Sequence, residues 1–224
     1  MQFEREIDKS IDTLIELSKA LSPYVVGAEG NVSARMSDES FLIKASGTSF
    51  SEADRSSFVR CDSDGKKKCD SSMQPSIETL LHAWLYRNYD CEYVAHTHPI
   101  NTLKVLCSIN ATEFSKIRLF PDHVVFNGVE SCFVPYAMPG SELLDSLKVS
   151  TSKLSASPRL ILLQNHGIIT TGKTIRECVV STQICEKAAE VYLGAKSIGL
   201  VSLTDAQKNQ IEFDKREIYR RQIK

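Results

Sequence analysis

Ile7, Ile11, Leu14 and Leu21 recur at helical spacing among charged residues, which predicts an amphipathic helix over 4–21, stopped by Ser22-Pro23. Its apolar stripe is expected to pack on the chain's own core. Phe41 to Ala45 is an almost unbroken apolar run that predicts a buried strand leading into Ser46-Gly47-Thr48. Phe58 to Cys61 predicts another, closed by the turn Asp62-Ser63-Asp64-Gly65. Those aspartates lack the full order of a calcium loop and its flanking helices, so a solvated turn is expected. Ile77, Leu80, Leu81, Trp84 and Leu85 mark a second helix over 75–89, with Pro75 in its first turn.

Residues 93–98 then predict a strand ended by Pro99, and 101–107 a short helix. Val124-Val125-Phe126 and Cys132-Phe133-Val134 predict strands around the turn Asn127-Gly128. Leu160 to Gln164 is a buried strand, and Ile168-Ile169-Thr170 continues extended after His166-Gly167. The capping box Thr174-Ile175-Arg176-Glu177 opens a long helix ending near Gly199, and Thr204-Asp205-Ala206-Gln207 repeats the device. The Ser/Thr-rich stretch 150–157 is expected to be a loop within a single domain spanning 1–224. Alternating helices and strands predict an α/β or α+β chain.

Composition narrows the function classes. Twenty-seven basic and 28 acidic residues give a net charge of -1, which argues against a broad surface for nucleic acid or anionic membrane. No apolar run approaches the ~18 residues of a membrane span. The start, MQFEREID, lacks the basic and apolar regions of a secretory signal. Seven scattered cysteines without C-x-x-C spacing do not suit a disulfide framework. They suit a reducing cytoplasm, as small buried hydrophobes. Any function is therefore expected to sit in a local site.

His96 and His98, at i and i+2 on a strand, leave the same face with Cα atoms about 6.6 Å apart, so both can reach one metal ion. His166 stands at the mouth of another strand, and three histidines with an open position are the arrangement of a catalytic zinc site. Glu78 lies in a helix's first turn, a place that the helix dipole favours by itself. His82, one turn on, is expected to be packed behind the site, and His123 to lie at the surface or an interface. Gly30-Asn31, Ser46-Gly47 and Ser76 offer small donors suited to an anion.

Read in order, GAEGNVSAR (27–35), FLIKASG (41–47), PSIETLLH (75–82), VAHTHP (94–99), PYAMPGS (135–141) and LLQNHGIITTG (162–172) resemble the class II aldolase/adducin-head family. The resemblance implies a three-layer α/β/α fold with a central, mostly antiparallel sheet. It places His96, His98 and His166 on the zinc ligands and Glu78 on the catalytic acid/base. Gly30, Asn31, Ser46, Gly47 and Ser76 fall on a substrate-phosphate pocket. It further implies a homotetramer with active sites at subunit interfaces, and retro-aldol cleavage of a ketose phosphate through a metal-stabilised enediolate. A dehydratase or 4-epimerase on the same zinc site, and a non-catalytic adducin-like module, are the alternatives. Retention of all three histidines with the glutamate argues against the module. Ile77 stands where the family often has a second serine, and Val124 about where the fuculose-phosphate enzyme has a tyrosine. Glu29 stands where a small residue is common, and would repel a phosphate if it pointed inward. Tyr219 is a candidate for closing a neighbouring site.

Overall fold

The structure is a computed structural model and describes residues 2–152, 154 and 156–222. Strands β1 (Asn31–Arg35), β2 (Phe41–Lys44), β3 (Phe58–Cys61), β4 (Tyr93–Thr97), β5 (Cys132–Val134), β6 (Leu160–Leu163) and β7 (Gly167–Gly172) form one sheet in the order β3-β2-β1-β4-β7-β6-β5. Every pairing is antiparallel except that of β5 with β6.

Successive strand residues face opposite ways, and the side chains sort accordingly. Ile43, Val94, Ile161 and Ile169 pack with Leu81 and Leu85 of α2 (Thr79–Asn88) and Leu143 and Leu147 of α6 (Ser141–Thr151). On the other face, Val32, Leu42 and Ala95 meet Leu14, Leu17 and Leu21 of α1 (Gln2–Leu21), with Cys178 of α7 (Ile175–Lys196). Leu160, Leu162 and Ile168 continue that face under α7, α3 (Ile100–Leu106) and α4 (Ala111–Lys116). The central strands are thus covered on both sides, giving the expected three-layer α/β/α arrangement. No helix among the described residues is long and apolar enough to cross a membrane.

Several local expectations are corrected. Residues 124–126 are not a strand but part of helix α5 (Pro121–Asn127). Pro121 suits a first helical turn, and Gly128, at φ +80°, ends the helix with its N–H on the Val124 carbonyl at 2.8 Å. Burial of Val124, Val125 and Phe126 outweighs their strand propensity. His123 is accordingly not on the surface: it is buried with its ring beside Phe114 and Phe120.

Helix α2 begins at Thr79, because Pro75 is held in a β-bridge with Ala45, Ile77 and Glu78 form a turn, and Glu78 stands at the N-cap. The stretch 150–157 begins inside α6, and its residues 153 and 155 lie outside the described residues. Of the Thr174 box only half is made: Thr174 caps the Glu177 N–H, but the Glu177 carboxylate accepts from Lys173 N instead. The Thr204 box opens α8 (Asp205–Glu212) with both halves present. The last helix, α9, spans Lys215–Gln222. Cys61, Cys91, Cys178 and Cys185 are buried as expected, whereas Cys69 and Cys132 are half-buried and Cys107 is exposed.

Candidate metal centre and active site

The β1–β4–β7 pairings bring distant segments to one end of the sheet. Asn31 lies opposite His96 in the β1–β4 register, and His96 opposite Ile169 in β4–β7. Between β6 and β7 the chain turns through Asn165, at φ +54°, and His166. Gly167 makes that turn fit: a Cβ there would lie 2.5 Å from the Thr97 carbonyl and 2.6 Å from the His98 ring.

The imidazoles of His96, His98 and His166 converge, with a nitrogen from each within 4.8 Å of the others. His96 Nε2 and His98 Nε2 are 2.9 Å apart. Glu78 closes the group, its Oε2 3.2 Å from His96 Nε2 and its Oε1 3.3 Å from His166 Nε2. His96 Nδ1 is 2.9 Å from the Ile168 carbonyl. A carbonyl only accepts, so Nδ1 carries the proton and Nε2 presents its lone pair. Burial pushes His96 down to about 4, and burial together with the neighbouring His96 does the same for His98 and His166. At neutral pH all three are uncharged, with lone pairs available.

Glu78 is buried, yet Oε1 has no hydrogen-bond partner. Neutral imidazole nitrogens aimed at one point fit a divalent cation such as zinc, with the unpartnered carboxylate oxygen beside it. Among the described residues this is the one cluster of three or more such side chains that could hold a metal ion.

The candidate anion residues lie beside it, around a cavity of about 210 Å³ that also reaches Glu78 and the histidines. Gly30 requires its φ of +66° and its missing side chain, since a Cβ would sit 2.6 Å from the His96 carbonyl. Asn31 is buried, and its amide is spent inside the site, donating to Glu78 Oε2 at 2.8 Å and Ser76 Oγ at 3.0 Å. Ser76 Oγ also accepts from the Glu78 N–H at 3.3 Å. Asn31 and Ser76 therefore fix the carboxylate. Ser46 and Gly47 are exposed at the rim, where the Ser46 N–H donates to Gln74 O. His82 lies behind, its Nδ1 2.6 Å from Ser33 Oγ, which is 2.6 Å from Tyr86 OH.

Lys44 lines the same cavity and was not singled out from the sequence. It is 1% exposed, and its Nζ donates to the carbonyl of Thr48 and, at 3.3 Å, to that of Ala28. No carboxylate is among its hydrogen-bond partners, and burial brings its ammonium down to about 8. A lysine ending a strand in which all four residues are buried was the available signal.

The model of the family described as Class II Aldolase and Adducin N-terminal domain matches residues 14–193. A 3-oxo-tetronate 4-phosphate decarboxylase of Haemophilus influenzae is 25% identical over 84% of this chain and 88% of its own length. An L-fuculose phosphate aldolase of Methanococcus maripaludis is 28% identical over 75% of this chain and 86% of its own. The crystal structure of YgbL from Escherichia coli superposes with a TM-score of 0.80 at 21% identity, over 92% of this chain and 99% of that one. The chain belongs to the class II aldolase and adducin N-terminal domain family.

Proposed function

We propose that this family member is a metal-dependent lyase that breaks a carbon–carbon bond beside a ketone in a small phosphorylated keto-sugar. One observation carries the reading: three neutral imidazoles and the unpartnered Oε1 of buried Glu78 meet at a cavity that also holds a buried lysine. His96, His98 and His166 would hold the metal ion, which when bound supplies Lewis-acid stabilisation of negative charge on a substrate oxygen.

The protein's own groups do the rest. Asn31 and Ser76 hold Glu78 so that Oε1 is its working atom. In the retro-aldol step Glu78 takes the proton from the hydroxyl of the departing carbon. That carbon leaves as an aldehyde, and the electron pair of the broken bond remains on the ketone fragment. Glu78 then returns the proton to the carbon that lost its partner. Lys44 and the loops at Gly30 and Ser46-Gly47 would seat the substrate's phosphate and aim the scissile bond at the histidines. Burial of Glu78, His96 and Lys44 at the cavity floor raises the worth of each contact made there.

A second reading is decarboxylation of a 3-keto acid phosphate, favoured by the activity named for the Haemophilus influenzae relative. It breaks the equivalent bond, releases CO₂ in place of an aldehyde, leaves the electron pair on the ketone fragment, and needs Glu78 only to deliver to that carbon a proton taken up from water. Cytoplasmic location and assembly as a tetramer with shared sites are consistent parts of the proposal. The zinc- or cobalt-loaded protein is to be offered a panel of ketose phosphates and 3-keto acid phosphates, with aldehyde and CO₂ release followed separately. Aldehyde supports the first reading and CO₂ the second. Products with the carbon skeleton intact would move the assignment to dehydration or epimerisation, and no turnover of any member would remove it.

A further inference from the structure

The loop that precedes β1 is pressed against the strand carrying His96 and His98. The His98 N–H donates to the Tyr24 carbonyl at 2.9 Å, the Glu29 N–H to Val26 O at 3.2 Å, and Gly30 passes within touching distance of the His96 carbonyl. Out of this loop Glu29 turns back. Its Oε2 accepts from the Val26 N–H at 3.1 Å and lies 3.3 Å from His98 Nδ1.

A carboxylate oxygen only accepts, so the approach to His98 is favourable when Nδ1 carries the ring proton. That tautomer leaves Nε2 as a lone pair, and Nε2 is the atom 2.9 Å from His96 Nε2. The arrangement repeats, with a side chain in place of a backbone carbonyl, what Ile168 O does for His96. His166 Nδ1 is buried and has no such partner.

We infer that Glu29 is a positioning residue for the metal centre: it fixes the His98 imidazole in the Nδ1–H tautomer, with Nε2 aimed at the cluster. This rests on the reading of the three histidines as metal ligands. Glu29 thus acts through His98, a role distinct from repelling a phosphate. A carboxylate on the far nitrogen of a ligand imidazole raises the ligand's basicity and restricts its ring. Glu29 thereby stands on the His98 side of the cluster, as Glu78 stands on the side of His96 and His166.

The test compares the full chain with Glu29→Ala and Glu29→Gln. In metal-free protein, nitrogen-15 NMR of the histidine rings reports the His98 tautomer directly. Zinc affinity is measured in parallel by competition with a chelator. The wild type is expected to hold His98 as Nδ1–H. Glu29→Ala should mix the tautomers and weaken zinc binding about 10- to 100-fold. Glu29→Gln, which keeps an accepting oxygen, should restore the tautomer and most of the affinity. An unchanged tautomer in a folded Glu29→Ala protein, or unchanged zinc affinity, overturns the inference. If the wild type binds no zinc, the proposed function fails, while the tautomer measurement still decides whether Glu29 sets the ring.

Discussion

Two regions of this protein bury strongly polar groups, and they do it in opposite ways. Under α4 and α5, Arg118 is fully buried, and its guanidinium donates to the carbonyls of Gly128, Ile117, Asn127 and Ser115 and to Ser131 Oγ. Its donors meet acceptors, and the cation ties the loop after α5 to the turn before it. At the end of β4 and β7, by contrast, two imidazole nitrogens face each other while Glu78 Oε1, Asn31 Oδ1 and His166 Nδ1 lack partners. Buried polar groups left unmatched cost stability. Where such atoms line one cavity together with three imidazoles, a ligand that supplied their missing partners would recover that cost. The Arg118 guanidinium is matched within the fold, and the histidine cluster leaves polar atoms unmatched beside a cavity.

The sharpest way to break this contrast is Glu78→Gln. It keeps the shape of the side chain and the Asn31 contact but removes the proton carrier. The expected loss in kcat is about 10²- to 10⁴-fold, with metal content by elemental analysis and thermal midpoint little changed. Undiminished turnover would take the proton-moving role from Glu78. Arg118→Met is the converse. It strips several buried carbonyls of their donor, and a loss of about 3 kcal/mol or more is expected in urea denaturation. The molecules that remain folded should bind zinc as tightly as before, and a selective loss of zinc binding would show that the two regions are not independent.

The smallest effect sharpens the comparison through pH. Burial holds the His82 imidazole down at about 3, and burial with the nearby Arg118 charge holds His123 well below its ordinary value. Both folded-state values lie below the unfolded value near 6.5. The unfolded chain therefore takes up protons that the folded chain refuses as pH falls past 6.5, and stability declines from there downward. His123 alone should contribute about 1 kcal/mol of that decline between pH 7.5 and 5.5. In His123→Leu, urea midpoints across that window should slope less steeply; an equal slope would mean that His123 takes up its proton in the folded protein as it does in the unfolded chain.

Much of this was legible from sequence because the relevant rules are local. Strand alternation put His96 and His98 on one face, and helical spacing identified α1 and the buried face of α2. What escaped depended on tertiary context. Val124-Val125-Phe126 followed by Asn-Gly reads as a strand and turn, whereas Pro121 in the first turn, Gly128 at the end and packing against α7 make it a helix. His123 inherited the error, since its neighbours were assigned to the wrong element. Lys44 sits in a run where both faces are covered, so alternation could not tell a buried ammonium from a solvated one. Glu29 was noticed as a charge in the wrong place, but its partner lies 69 positions away and is reached only through β1–β4 pairing.

The antiparallel β4–β7 ladder carries a consequence in time. His96 and His98 are made about 70 residues before His166, and the strand that aligns them ends only at Gly172. At roughly 5–20 residues per second of synthesis, several seconds separate the first two ligands from the third. During that interval a growing chain can offer an ion no more than a two-histidine hold. On the proposed function, full capture would begin when the seventh strand arrives, so tight retention of metal would report that this central part of the sheet has been completed.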